Sequence, residues 1–145
     1  MDGLYGIFVF IHTNRRIMEK NFNVLVINPV TDEVIYCVNV RSLIEINPEQ
    51  NASEYKITTN WEECEDGGHV VEITAANKEM RNILAVRVAE ELTEDAFYSA
   101  FDEYNSLSVS TPEMEADIEK KFGVNIDSIK ASIRYQILEG LGVFE

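Results

Sequence analysis

Residues Phe22–Arg41 read FNVLVINPVTDEVIYCVNVR, and the fold follows from how this stretch is punctuated. Two runs rich in β-branched and aromatic residues, Phe22–Asn28 and Glu33–Arg41, flank the segment Asn28-Pro29-Val30-Thr31-Asp32. Proline fixes one backbone angle and cannot donate a ladder hydrogen bond, while Asn and Asp side chains bond to their own local backbone. The segment therefore favours a turn and the runs beside it a hairpin. Upstream, Leu4–His12 (LYGIFVFIH) is aromatic and β-branched throughout, the composition of a strand buried on both faces. Downstream, Asn47-Pro48-Glu49-Gln50-Asn51 reads as a loop. Tyr55–Thr59 and His69–Ala75 read as a second hairpin, joined by the acidic, glycine-bearing segment Asn60–Gly68. Four to five strands in a small antiparallel sheet are expected from this half.

Past residue 76 the apolar period changes from two to 3.6. Asn77–Leu92 carries a broad stripe of Met80, Ile83, Leu84, Val88 and Leu92, widened by Ala85, Val86 and Ala89. Thr93 reads as the N-cap of a following helix, with Glu94 and Asp95 at its positive end. Phe97, Phe101 and Tyr104 then share one face. Asp95 and Asp102 fall on the opposite face, joined by Glu91 if the two helices run together. Ser106–Ser110 reads as a linker, and Thr111-Pro112 as N-cap and first helical residue of a short helix with Met114, Ile118 and Phe122 on its stripe. Gly123 ends that helix. Ile126, Ile129, Ile133 and Ile137 define a last one, stopped by Gly140 and Gly142. Strands followed by three to four helices give an α+β class in one domain, 1–145, with residues 1–75 mainly β and 76–145 mainly α.

The chain has 145 residues, 46% apolar, enough to bury roughly two-thirds of its unfolded surface. Its 12 bases against 26 acids leave a net charge of −14, which disfavours nucleic acid and anionic membrane and favours basic surfaces. Leu4–Ile11 is too short to span a bilayer and lacks the flanks of a signal peptide. Cys37, set in an apolar run where a thiol packs as a small hydrophobe, and Cys64 are the only cysteines. They imply a reducing, cytoplasmic setting rather than a disulfide framework.

The charge is concentrated. From Val88 to Glu119 there is no Lys or Arg, yet the stretch holds Glu90, Glu91, Glu94, Asp95, Asp102, Glu103, Glu113, Glu115, Asp117 and Glu119. A surface kept only for solubility intersperses both signs and gains from Glu–Lys pairs one turn apart. This stretch does neither. In charge alone it is similar to inhibitors that imitate the phosphate spacing of nucleic acid. These carboxylates are the candidate partner-binding residues, and the partner they imply is a basic protein surface.

Residues Ile118–Lys130 resemble the helix-turn-helix motif of DNA-binding regulators, with Ile118 and Phe122 before the turn, Gly123-Val124 at it and Ile129 in the second helix. The resemblance implies a recognition helix offering Asn125, Lys130 and Arg134. It departs at Glu119, where the motif has a small residue. From Ser110 onward four bases face seven acids, so the basic footprint of a DNA reader is missing.

Glu62, Glu63, Cys64, Glu65, Asp66 and His69 gather in one loop, but their spacing matches neither an EF-hand nor a zinc pattern. No nucleophile elbow or glycine-rich phosphate loop occurs, and His12 and His69 stand outside any two-histidine motif. Trp61 at the loop's edge reads as core or, less favoured, as an exposed interface anchor. No catalytic residue, cofactor or metal is assigned. The leading expectation is a non-enzymatic acidic module, of the sort found among phage-encoded antagonists and toxin-immunity partners, occluding a nucleic-acid-binding cleft. Behind it stand a DNA-binding regulator, a small enzyme without a recognisable motif and a phage assembly component.

Overall fold

Strands with an apolar residue at every second position must hide one face, and this chain does so by laying helices across one side of a sheet. The computed structural model describes residues 8–10, 15–49, 52–58, 68–101, 111–123 and 125–145. In order they form β1 (Phe8–Phe10), β2 (Arg15–Ile27), β3 (Val34–Ile46), β4 (Glu54–Thr58), β5 (His69–Ala75), α1 (Lys78–Ala100), α2 (Thr111–Phe122) and α3 (Ile126–Gly140). The α+β class stands, with the strands in the first half and the helices in the second.

Both expected hairpins form. β2 and β3 pair antiparallel over their whole length, with Val24 opposite Val38, and β4 pairs antiparallel with β5. At the β2–β3 turn Asn28 Oδ1 accepts from the N–H of Val30 at 2.9 Å, and the Asp32 N–H donates to the Asn28 carbonyl at 2.8 Å. Asp32 itself takes a left-handed φ of 62°, a conformation Asp tolerates better than most residues.

The sheet is mixed rather than antiparallel. Its order is β1-β2-β3-β5-β4, and β3 and β5 run parallel, with Val40 opposite His69 and Ile46 opposite Ala75. The chain leaving β3 passes one strand's width before β4, and β5 returns into the gap, so it must run with β3. The Asn47 N–H donates to the Ala75 carbonyl at 2.8 Å and closes the crossing. Of the expected strand Leu4–His12, Phe8–Phe10 stands at one end of the sheet and the rest lies outside the described residues.

Val24, Val26, Val38, Val40, Ile44, Val71, Ile73 and Ala75 turn to the helices and are buried. The other face mixes polar pairs with half-buried Leu43 and Val70: Asn39 Nδ2 donates to Asn23 Oδ1 at 3.1 Å, and Arg41 meets Glu19 at 2.9 Å. Cys37 belongs to that face and is exposed, not packed as a small hydrophobe, because the period of two that buries Val38 turns its neighbour outward.

Among the described residues the helical half departs from expectation within α1, while Tyr104 and the linker Ser106–Ser110 lie outside them. Asn77 caps α1, accepting from the Met80 N–H at 2.8 Å, and the helix then continues unbroken to Ala100. Thr93 is not an N-cap but a buried mid-helix residue, 1% exposed. Leu84, Ala85, Val88, Ala89, Leu92, Thr93, Ala96 and Phe97 keep one stripe buried through the expected break, while Ile83 and Val86 lie off it and are exposed. Gly123, at φ 66°, ends α2. Asn125 caps α3, whose Ile126, Ile129, Ile133 and Ile137 are all buried as the spacing predicts.

Candidate functional site

The described carboxylates of the base-free run lie on α1 and α2, and the fold uses them unequally. Glu94 is half exposed and accepts from Lys130 Nζ at 3.1 Å, while Glu115 accepts from the same ammonium at 3.0 Å. Lys130 thereby ties α3 to both other helices. Its Nζ also lies 5.0 Å from the ring centre of Phe97 and 5.6 Å from that of Tyr98, a range in which a ring face attracts a cation. Burial lowers the Lys130 pKa, but the hydrogen bonds and charges of Glu115 and Glu94 outweigh it and leave it raised.

Asp95 turns inward instead. Its Oδ2 stands 2.6 Å from Nε2 of His69, a buried residue of β5, while half of its own side chain stays exposed. Nδ1 of His69 is buried with no partner among the described residues. Glu119 accepts from the Ile126 N–H at 3.1 Å, so the residue that departs from the helix-turn-helix pattern serves as an N-terminal acceptor for α3.

Glu90, Glu91, Glu113 and Asp117 are exposed and make no ion pair with any described residue. Asp102 and Glu103 lie outside the described residues, as do Trp61 and the loop carrying Glu62, Glu63, Cys64, Glu65 and Asp66. Of the residues a recognition helix would offer DNA, Asn125 is engaged as a cap through the Ser128 N–H and Lys130 is held by two carboxylates. Arg134 is half-buried.

Between α1 and β4 an open cleft of about 460 Å³ brings part of the run together with apolar surface. Ile57 of β4 and Leu92 of α1 give it a greasy floor, Tyr98 a ring, and Glu91, Glu94 and Asp95 an acidic rim. Such a site suits a ligand with an aliphatic body and a cationic head. Among the described residues its lining holds no Ser, Thr, Cys or His. Among the described residues no group of three or more His, Cys, Asp or Glu is placed to hold a metal ion, and no helix is long and apolar enough to cross a membrane.

The cleft and the His69–Asp95 bond were beyond sequence reasoning, since their residues come from β4, β5 and α1 and only the fold joins them. The acidic rim had a signal in the absence of bases. The floor had none, because Ile57 and Leu92 read simply as core. Comparison with family profiles, with characterised proteins and with solved structures yields no match to this chain.

Proposed function

We propose that this chain is a non-enzymatic, acidic protein-binding module that docks onto a basic surface of a partner, such as a nucleic-acid-binding cleft, and occludes it. One observation carries the reading: Glu90 and Glu91 stand exposed, without a cation among the described residues, on a helix fixed by a continuous buried stripe. Carboxylates on a rigid helix hold their spacing, and matched charge steers encounter. The exposed thiol of Cys37 suits a reducing, cytoplasmic setting. Immobilised chain is expected to capture its partner from native lysate at low salt, to release it at high salt and to lose it to a competing duplex oligonucleotide. The double reversal Glu90→Lys with Glu91→Lys is expected to abolish capture while the thermal melt stays where it was. Capture of the same protein by the folded double variant, unchanged by salt, would sink the reading.

A further inference from the structure

We propose that the outer edge of β4 and the flank of α1 form a receiving groove for an extended basic segment of the partner, which adds to the sheet beside β4. This rests on the acidic-docking reading and goes further, naming the backbone form of what is bound.

β4 ends the strand order, and among the described residues no strand lies on its outer side. A terminal strand turns alternate N–H and C=O groups outward, where an incoming strand can pair with them. At the other end of the sheet the arrangement differs. Beyond the residues β1 covers, the N–H of Leu25 in β2 donates to Oε1 of Gln136 at 2.8 Å, and Nε2 of Gln136 returns a bond to the Leu25 carbonyl at 2.8 Å. A side-chain amide thus stands where a strand would pair.

Side chains of an added strand alternate between the sheet's two faces. One set passes into the cleft against Ile57, Leu92 and Tyr98, under the rim of Glu91, Glu94 and Asp95. An Arg or Lys fits there, its stem on the apolar floor and its head on a carboxylate. The chain supplies its own precedent at the same end of α1, where Lys130 lies over Tyr98 and bonds Glu94. The other set emerges beside Glu54 and Lys56, exposed residues of opposite sign, and is best left neutral. The preferred segment therefore alternates basic and small apolar residues.

Three end-capped synthetic peptides test this against the intact chain by calorimetric titration and amide NMR: one alternating Arg and Val, the same peptide methylated on alternate backbone nitrogens, and an alanine-rich helix former with equal Arg content. The first is expected to bind at low salt, to shift amide signals of both β4 and α1, and to weaken tenfold or more on methylation. Equal affinity of all three, or shifts confined to α1, overturns strand addition while leaving charge-driven docking intact. Failure of all three while native partner capture remains salt-sensitive overturns the groove alone. If that capture also survives high salt and the reversal of Glu90 and Glu91, the docking reading falls with it.

Discussion

Along β2 the sheet's open edge is satisfied from within, by a Gln136 amide that takes both backbone groups of Leu25, whereas along β4 the edge is bordered by charge. The first device is neutral and packed. α3 approaches so closely that a Cβ on Gly140 would come within 2.4 Å of the Phe22 ring. The second is ionic: β4 carries exposed Glu54 and Lys56, and α1 lines the groove beside it with Glu91, Glu94 and Asp95. A terminal strand invites pairing with an extended chain. With a net charge of −14, a second copy approaching the β4 groove is repelled, while a basic segment is drawn in. On the proposed docking reading, the packed edge is closed to strand addition at Leu25, while the charged edge selects its partner.

Breaking the packed edge gives the largest expected effect. Gln136→Val leaves the N–H and C=O of Leu25 without their partner in a part-buried position, costing about 2–3 kcal/mol. Urea unfolding measures that loss, and size-exclusion chromatography is expected to show self-association through an edge now resembling β4. A variant as stable and monomeric as the parent would remove Gln136 from its assigned role. Gly140→Ala acts on the same contact by steric means. Its methyl meets the Phe22 ring, so the ring or α3 must give way, at a cost of about 1–2 kcal/mol. Phe22→Leu in the same chain is expected to restore part of that stability.

Lys130→Met sharpens the other side of the comparison. The ammonium is half-buried and its carboxylate partners are partly exposed, so solvent screening limits the loss to about 1 kcal/mol. The removed charge also leaves Glu94 unpaired at the cleft, and a basic peptide is expected to bind more tightly. The sign with pH is fixed. Because the folded Lys130 titrates above its ordinary value of 10.5, its stabilisation is full at neutral pH and fades as pH rises through the folded-state value. The stability gap between parent and variant should hold constant from pH 7 to about 10 and close only beyond it. A gap that closes below pH 9 would contradict the triad of Lys130, Glu94 and Glu115 as the source.

Most of the architecture was legible because periodicity reports burial directly. Val24, Val26, Val38 and Val40 alternate inward, and Ile126, Ile129, Ile133 and Ile137 line one face of a helix between Asn125 and Gly140. The parallel pairing of β3 with β5 was not legible, because alternation fixes which face a strand hides and not which neighbour it takes. The acidic run was legible as a run and not as a site. Its sorting into internal ties and open carboxylates depends on where Lys130 and His69 arrive, and those contacts cross gaps of 36 and 26 residues.

The smallest expected effect bears on whether the groove's wall is one helix or two. Thr-Glu-Asp at residues 93–95 has the form of a helix start, and an N-cap Thr replaced by Val would cost about 1 kcal/mol. In the structure Thr93 lies within α1, on the stripe shared by Ala89, Ala96 and Phe97, and its Oγ1 is buried without a partner among the described residues. A hydroxyl so placed keeps its desolvation cost and gains no bond, while Val has nearly the same shape and helix preference. Thr93→Val is therefore expected to raise stability, by up to about 1 kcal/mol, in urea unfolding. The two readings differ in sign, so a modest measurement separates them. A loss would mean that α1 breaks at Thr93, and that Glu91 and Asp95 face the β4 edge from two segments rather than from one rigid wall.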